Sequence, residues 1–281
     1  DGEEKDSASL SGDINYTSVG ELSIGSASDG SLGINGSIDE VRIYNRALSP
    51  REVRDLYNWA PGPVLHLKAD ENTGTNTYDS SSNNLSGSLN SGTTWGQGKY
   101  GSAFQFDGND DNVSLSHNSL LEPKSITVNF WVNLEDISDR HCLVTKWLGF
   151  TTEINSDGTF RWGLNGPTSQ YFGSETISWN NWHHLAGTFN DETKEQCIYI
   201  NGVQTECQTV TGSISYNQSS LYLSGSWDRA KGLLDDIRIY NYARTPKQIV
   251  EDMNASHPIG GSPEGSQRLY LKFDRGYDNT V

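Results

Sequence analysis

The chain contains an internal repeat with a period close to 200 residues, which constrains its fold more than any other feature. The segment Asp39–Pro50 (DEVRIYNRALSP) recurs 196 positions later as Asp235–Pro246 (DDIRIYNYARTP). Leu65–Asp70 (LHLKAD) recurs 204 positions later as Leu269–Asp274 (LYLKFD). Because a period of this length excludes short-repeat solenoids, each repeat is predicted to be a self-contained domain.

The positions of the repeated segments predict the domain organisation. Residues 1–57 correspond to the last third of one repeat, residues 63–254 to a complete repeat, and residues 267–281 to the first strand of another. Residues 58–62 and the Pro/Gly/Ser-rich residues 255–266 are predicted linkers. We therefore expect part of a tandem array whose domains are joined by short linkers.

The charge of the chain excludes several classes of partner. It has 20 Lys and Arg against 36 Asp and Glu, a formal net charge of −16. Nucleic-acid and anionic-membrane binding both depend on clustered positive charge. The sequence also lacks the run of about 18 apolar residues that a membrane-spanning helix needs. We predict no nucleic-acid partner and no membrane insertion.

Alternating apolar residues predict that the complete repeat is built of β-strands. Ile126–Val132 alternates apolar with polar or aromatic residues, which indicates a strand with one core face. Asn201-Gly202 predicts a tight hairpin, and Thr245-Pro246 predicts a short helix after the last strand. Further strands are predicted at 65–68, 103–106, 143–147, 160–164, 185–189, 221–223 and 234–240. This pattern indicates an antiparallel two-sheet sandwich.

Five segments of the complete repeat occur in an order typical of one domain family. They are GSAFQFDG (101–108), SITVNFWV (125–132), WHHLAGTF (182–189), IYING (198–202) and LDDIRIYN (234–241). Together they resemble the LamG-like (laminin G-like) jelly-roll domain of the concanavalin A-like lectin/glucanase group. The resemblance implies an all-β, antiparallel jelly-roll sandwich. It implies little about function, since this sandwich hosts lectins, adhesins, matrix modules and accessory domains of hydrolases.

The sequence contains no arrangement of residues typical of catalysis. Some catalytic members of the wider sandwich group have paired carboxylates spaced Glu-x-Asp-x-x-Glu on one strand, and that spacing is absent. His183 and His184 are adjacent, and neighbouring strand residues point to opposite faces, so they are not expected to share a metal ion. We therefore predict that the protein is not an enzyme.

Two loops of the complete repeat are predicted to bind a ligand. In pentraxins, relatives of this sandwich, calcium and ligand meet between two loops that correspond here to 146–149 and 224–229. These loops contain Lys146, Trp147, Trp227 and Asp228. Their one acid does not predict a pentraxin-type double calcium site. The two tryptophans either form a platform for the C–H face of a sugar or pack on their own sheet.

Asp235 has the strand parity of Ile237 and Ile239, which places an acidic residue at a core position. A buried carboxylate is costly unless it is paired or bound to a metal. The resemblance to jelly rolls implies a structural calcium between the first and last strands, and calcium prefers such oxygen ligands. We expect either Ca²⁺ or a buried hydrogen-bond network at Asp235 and Asp236, with Asp70 from the first strand.

Cys197 and Cys207 flank the predicted hairpin at Asn201-Gly202. A two-residue loop pairs positions whose numbers sum to 403, whereas 197 and 207 sum to 404. A disulfide between them therefore requires a longer turn or a β-bulge. The sequence is consistent with a disulfide and with two free thiols. Five sequons are candidate N-glycosylation sites on a surface protein: Asn15, Asn84, Asn112, Asn217 and Asn254.

Three functions are consistent with these observations. The first is a non-catalytic module of tandem LamG-like repeats, extracellular or on the cell surface, for adhesion, glycan binding or assembly of a surface layer or filament. The alternatives are an accessory carbohydrate-binding array of a secreted hydrolase and a structural spacer without a ligand. Incomplete repeats leave strand edges unpaired. We therefore expect neighbouring repeats or copies of the same protein as partners, with residues 268–274 pairing beside a segment equivalent to 38–44.

Overall fold

The fold is described from a computed structural model, in which the described residues are 22–26, 33–36, 38, 41–44, 46–50, 53, 62–135, 139–166, 171–225, 228–254 and 267–271. The chain divides into two compact units. One is formed by residues 61–257, and the other by residues 1–60 together with 258–281. Within the described ranges, no helix is long and apolar enough to cross a membrane.

Residues 61–257 form two antiparallel eight-stranded sheets. Sheet I contains β3 (Asn76–Thr77), β4 (Gly87–Asn90), β7 (Asn112–Leu115), β9 (His141–Lys146), β10 (Phe150–Ile154), β11 (Phe160–Leu164), β12 (Tyr171–Phe172) and β16 (Leu221–Leu223). Sheet II contains β2 (Leu65–Leu67), β5 (Thr94–Gln97), β6 (Ser102–Asp107), β8 (Ile126–Leu134), β13 (His183–Asn190), β14 (Glu195–Ile200), β15 (Val203–Thr209) and β17 (Lys231–Tyr240). One short helix, α1 (Pro246–Met253), follows β17. The predicted all-β jelly-roll sandwich is confirmed.

The strand order of each sheet brings distant segments together. Sheet I runs β12-β11-β10-β9-β16-β7-β4-β3, and sheet II runs β15-β14-β13-β8-β17-β6-β5. The first half of β17 pairs with β6 and its second half with β2, so both ends of the domain meet at one strand. The predicted first strand of the complete repeat therefore lies beside its last strand, with Leu65 opposite Ile239 and Leu67 opposite Ile237.

The hydrophobic core lies between the two sheets. Ile126, Val128 and Phe130 of β8 are fully buried there, as the alternating pattern predicts. The opposite face of β8 is also buried, because α1 covers it. Asn129 donates a hydrogen bond to Asp252 Oδ2 on α1 (2.9 Å). Sheet II therefore has apolar contacts on one face and a polar network on the other.

Helix α1 begins with a capping box. The Thr245 hydroxyl accepts a hydrogen bond from the Gln248 backbone N–H, and the Gln248 side chain accepts one from the Thr245 N–H. Pro246 occupies the first turn, where its missing N–H costs no hydrogen bond. These local interactions explain why the chain turns into a helix directly after β17.

The hairpin between β14 and β15 contains a disulfide. Asn201 and Gly202 have φ values of 51° and 79°, as a tight two-residue turn requires. A register shift next to Ile198 places Cys197 directly opposite Cys207. The two cysteines form a disulfide with a Cα–Cα distance of 4.1 Å. The bulge thus supplies the one-residue offset that this pairing requires.

We expect the Cys197→Ser/Cys207→Ser double variant to lose about 2–3 kcal/mol of stability, because the disulfide closes a short loop of the unfolded chain. Alkylation without reductant in urea should modify one cysteine of the three, since Cys142 is free. After reduction, all three should react. Three modified cysteines before reduction would contradict the disulfide. Native protein is unsuitable for this count, because burial raises the pKa of Cys142 to about 11 and slows its alkylation.

The second unit repeats one pairing of the first. Its strands β1 (Val41–Tyr44) and β18 (Gln267–Leu271) are antiparallel, with Val41 opposite Leu271 and Ile43 opposite Leu269. In the complete repeat, the residues equivalent to Val41 and Ile43 are Ile237 and Ile239, and those equivalent to Leu271 and Leu269 are Leu67 and Leu65. These residues form the same pairs between β17 and β2. Residues 267–271 therefore pair with residues 41–44 of the other partial repeat in the same chain, which is the 38–44 type of segment that was predicted beside residues 268–274.

Apolar side chains remain exposed in this second unit. The exposed fractions are 63% for Leu22 and 38% for both Ile24 and Ile43. Residues 1–21 and 272–281, which include Ile14, lie outside the described residues. The predicted contact of these parts with other repeats or copies stays a prediction.

Candidate functional site

A groove of about 590 Å³ lies on the outer face of sheet I. It is lined by β9, β10, β11, β12, β16 and adjoining loops through Arg140, Cys142, Thr145, Lys146, Trp147, Leu148, Gly149, Phe150, Thr151, Glu153, Gly163, Leu164, Asn165, Tyr171, Tyr222 and Asp228. Its volume is within the range of roughly 300–1,000 Å³ that is common for ligand pockets.

A row of side chains across four neighbouring strands forms the floor of the groove. Gly163 of β11 lies opposite Thr151 of β10, Thr151 opposite Thr145 of β9, and Thr145 opposite Tyr222 of β16. Alternate residues of the same strands, such as Val144 and Trp162, face the core. Three small residues beside a tyrosine therefore make a depression bounded by an aromatic ring.

Arg140, Glu153 and Asp228 form an ionic cluster in the groove. Arg140 Nη1 lies 3.2 Å from Glu153 Oε2, and its Nε donates to Asp228 Oδ2 at 2.9 Å. Nη2 also donates to Asp228. Asp228 was predicted as a site residue, whereas Arg140, which joins it to Glu153, and Glu153 itself were not. In β10, Phe150 and Ile154 face the core, so Thr151 and Glu153 face outward. This alternation could have identified Glu153 from the sequence.

Burial changes the ionisation of the groups around this cluster. Glu153 is only 4% exposed, and this burial raises the pKa of its carboxyl group although Arg140 opposes the shift. Burial, followed by the charge of Glu153, raises the pKa of Tyr171 to about 12. Tyr171 therefore presents a neutral hydroxyl beside the acid over the whole physiological pH range.

Trp147 lines the groove with an exposed ring. Its exposed fraction is 55%, and that of the adjacent Leu148 is 45%. This exposure agrees with the predicted platform for a sugar, and the choice between that platform and packing on the sheet stays a prediction. Trp227, the second predicted aromatic, lies outside the described residues.

The structure differs from the prediction for Lys146. Its side chain is fully buried on the core parity of β9, next to Val144. Its ammonium donates to the Ser219 carbonyl at 2.6 Å and lies 3.1 Å from Glu122 Oε1. Lys146 therefore holds the neighbouring loop in place, and its charge is not directed to a ligand in the groove.

Asp235 and Asp236 lie at a β-bulge in β17, where Asp236 has a φ of 49°. Both are buried as predicted, but Asp235 is not on the core side with Ile237 and Ile239, because the bulge shifts the strand parity and places it opposite Trp131. Asp236 binds two basic groups: its Oδ1 lies 2.6 Å from His66 Nε2 and its Oδ2 2.9 Å from Arg238 Nη2. Burial alone would raise the pKa of Asp236, but Arg238 and His66 lower it overall. This pairing does not fit a calcium ligand.

Asp235 has a different environment. Its Oδ2 accepts a hydrogen bond from the Tyr100 N–H at 2.9 Å, whereas its Oδ1 is buried without a hydrogen-bond partner. Burial raises the pKa of Asp235 to about 7. Asp70 lies nearby and accepts from the Ser102 N–H at 3.1 Å. Hydrogen bonds thus hold both buried acids while Asp70 is exposed, and among the described atoms of these three acids the unpartnered Oδ1 of Asp235 is the one that fits a calcium ion.

A second cluster of acidic residues has carboxylate oxygens that lie close together. Ligand oxygens of Asp107, Asp110 and Asp111 all lie within 4.8 Å of one another. Internal hydrogen bonds account for this arrangement, since Asp107 Oδ1 accepts from the Asn109 N–H and Asp111 Oδ2 accepts from the Asp107 N–H. The cluster therefore needs no ion to explain its geometry.

The candidate glycosylation sites differ in exposure. Asn84 is exposed, whereas Asn112, Asn217 and Asn254 are partly buried. The Asn254 side chain donates to the Val250 carbonyl at 2.8 Å, a bond that a glycan on its amide nitrogen would disturb. Asn84 is the best placed of the four for modification, and Asn15 lies outside the described residues.

A family model agrees with the resemblance seen in the sequence. The laminin G model described as "Concanavalin A-like lectin/glucanases superfamily" matches residues 1–54 and 107–250. No curated protein sequence is significantly similar to the chain.

Several solved structures have a similar fold. One is domain 4 of AbnA, a GH43 extracellular arabinanase from Geobacillus stearothermophilus, in complex with arabinotriose. It has 22% identity and a TM-score of 0.56, over 68% of this chain and 98% of that domain. Another is botulinum neurotoxin type C, whose cell entry depends on interaction with two ganglioside molecules (16% identity, TM-score 0.59, 72% of this chain and 53% of that chain).

The binding domain of botulinum neurotoxin DC, in complex with rat synaptotagmin II, is also similar (17% identity, TM-score 0.56, 70% of this chain and 52% of that chain). The match spans about half the length of these toxin chains. At these identities, the likeness shows a shared fold.

Proposed function

The chain belongs to the concanavalin A-like lectin/glucanase superfamily, and from this membership and the groove we propose that residues 61–257 form a non-catalytic glycan-binding module. The observation that supports this most is the exposed ring of Trp147 in a groove that also contains a fixed ionic cluster. Sugars present apolar C–H faces and polar hydroxyl edges. An aromatic ring can stack on the C–H face, and oriented polar groups can form hydrogen bonds with the hydroxyls.

The same groove supports binding rather than catalysis. Glycosidases need one carboxyl group as an acid and a second as a nucleophile or base. Here Glu153 and Asp228 are both bound to the guanidinium of Arg140. The adjacent histidines do not supply another centre. His184 is fully buried, which lowers its pKa to about 4, and His183 contacts Ser178.

We propose an extracellular or cell-surface location. The disulfide between Cys197 and Cys207 supports it, because disulfides persist mainly in oxidising compartments. The arabinotriose complex of the similar domain supports sugar binding by this fold and, since that domain belongs to an arabinanase, also supports the reading as an accessory module of a secreted hydrolase.

Assembly through neighbouring repeats is a second proposed role. It is supported by the pairing of β1 with β18, which reproduces the register of β17 with β2. The exposed apolar side chains of Leu22 and Ile24 are a further support. Adhesion, or building of a surface layer or filament, would follow from this role.

Replacing Trp147 with alanine is expected to weaken glycan binding about tenfold, because a stacked ring contributes roughly 1–1.5 kcal/mol. A glycan array would identify the ligand, and calorimetry would measure the affinity. Tyr78→Ala is the matched control, since this ring is 61% exposed and does not line the groove.

Equal affinity of the Trp147→Ala variant and wild type would place the site elsewhere. Absence of binding to every polysaccharide tested would favour the ligand-free spacer.

A further inference from the structure

The charges of the groove restrict the class of glycan that it can accept. Among the lining residues that the structure describes, Arg140 is positive and Glu153 and Asp228 are negative. Lys146 also lines the groove, but its ammonium is buried on the opposite side of the sheet with Ser219 and Glu122. The side chains that face a ligand therefore have a net charge of −1.

The guanidinium of Arg140 is paired with both acids of the groove. Its Nε, Nη1 and Nη2 all point to carboxylate oxygens of Glu153 or Asp228. An anion at the two remaining N–H groups of this 42% exposed side chain would lie beside both carboxylates, and one at Nε would have to displace an acid. Glu153 is 4% exposed, so displacing it would leave a buried carboxylate without its partner.

The neighbouring cation is engaged as well. Arg161 lies directly opposite Glu153 on β11. Its guanidinium lies 5.1 Å from the centre of the Tyr171 ring, and its Nη2 donates to the Tyr171 carbonyl. These contacts hold Arg161 against Tyr171, and it is not among the residues that line the groove.

The remaining polar groups of the groove suit uncharged hydroxyls. The Tyr171 hydroxyl stays neutral because its pKa is raised to about 12. Tyr222 and Thr145 add hydroxyls, and Asn165 adds an amide. The Tyr222 hydroxyl can donate or accept, whereas Thr145 and Asn165, which already donate to the Phe150 carbonyl and to the Leu148 carbonyl and Ser215 Oγ, can accept from a sugar hydroxyl.

The length of the groove indicates more than one sugar. It extends along β9 from Cys142 to Lys146, a distance of about 13 Å for four residue steps. This exceeds one pyranose or furanose ring, so a short stretch of a chain fits better than a single sugar.

We infer that the ligand is a neutral oligosaccharide segment, and that the groove rejects glycans bearing sialate, uronate or sulfate. This inference rests on the proposed glycan binding. An acidic glycan would approach an ionic cluster with excess negative charge on a protein of net charge −16. Specificity of this kind comes from repulsion of the wrong ligand as much as from attraction of the right one.

The test compares glycans that share a backbone and differ in charge. Methyl-esterified and de-esterified polygalacturonate form one such pair, and a neutral glycan-array ligand with its carboxylated derivative forms another. We expect the neutral member to bind about fivefold more tightly or better, the factor for a repulsion of ~1 kcal/mol. Added salt should reduce the difference, since it screens the repulsion.

The Glu153→Gln/Asp228→Asn double variant leaves Arg140 without its carboxylates. It should reverse the preference towards the acidic member. Glu192→Gln/Glu195→Gln removes the same charge from two exposed acids outside the groove and should leave the preference unchanged.

Tighter binding of acidic glycans by wild type would overturn the inference while leaving glycan binding intact. A preference that salt does not alter would also overturn it. Absence of binding of wild type to every glycan would instead overturn the proposed function, and wild-type affinity of the Trp147→Ala variant would overturn the groove as the binding site. Wild-type measurements alone decide the inference if the double variant does not fold.

Discussion

Replacing Asp252 with alanine is expected to lower the free energy of unfolding by about 3–5 kcal/mol, the range for breaking a buried ion pair. Asp252 is 1% exposed on α1. Its Oδ1 lies 3.1 Å from Arg238 Nη1 and 2.8 Å from Arg244 Nη2, and it accepts the Tyr240 hydroxyl at 2.9 Å. Its Oδ2 accepts from Asn129. Alanine would leave two buried guanidinium groups without this partner.

Urea titration of the full chain would measure the loss. Asp252→Asn is expected to cost less, because the amide oxygen still accepts one hydrogen bond while the charge is removed. Lys247→Ala on the exposed side of the same helix is the control and should change stability by about 0.5 kcal/mol or less. A loss below about 1 kcal/mol for Asp252→Ala would mean that the network does not hold α1 on sheet II.

This network also shows where prediction from the sequence stops. Alternation in Ile126–Val132 predicted the core face of β8, because a strand pattern is local. The second face is buried because α1 folds back over it, and the polar side chain of Asn129 gave no sign of this contact. The start of α1 at Thr245 and Pro246 was predictable, since a capping box depends on neighbouring residues.

The groove illustrates the same limit. Asp228 and Trp147 were identified through loops that the family resemblance aligned. Arg140 and Glu153 were not, because the cluster joins β10 to a residue 75 positions away through the pairing of β9 with both β10 and β16. Spacing along a chain has no fixed value for such a contact. The prediction for Lys146 was wrong because neighbouring strand residues point to opposite faces, so a shift of one position moves its charge to the other side of the sheet.

The β-bulge in β17 is a further feature beyond local pattern. Strand parity placed Asp235 on the core side, but Asp235 lies opposite Trp131 and therefore on the other face of sheet II, which α1 covers, where it is also fully buried. Parity alone places Asp236 on the opposite side. The bulge between Asp235 and Arg238, with its left-handed φ at Asp236, brings both acids into buried sites with different partners.

The stability of wild type is expected to fall between about pH 4 and pH 7 relative to that of Asp235→Asn. The pKa of Asp235 is raised by burial from 3.8 to about 7. Over that interval the unfolded chain releases the proton while the folded protein keeps it, so the folded state becomes less favoured as pH rises. The difference reaches at most about 4 kcal/mol and levels off above pH 7. His66 and His184 contribute an opposite slope, because burial lowers their pKa values, but both variants share it.

Urea titrations of the two proteins in EDTA, from about pH 4 to pH 8, would measure this difference. Parallel stability curves would show that the Asp235 carboxyl is ionised in the folded protein at low pH as well. The same pair of proteins tests calcium. An ion bound by Asp235 and Asp70 would hold the carboxylate ionised, so calcium would raise the melting temperature of wild type at pH 8 and leave that of Asp235→Asn unchanged. A wild-type melting temperature that does not respond to calcium or EDTA would reject the metal. The fold would then tolerate this buried acid through the hydrogen bond from Tyr100 and a protonated Oδ1.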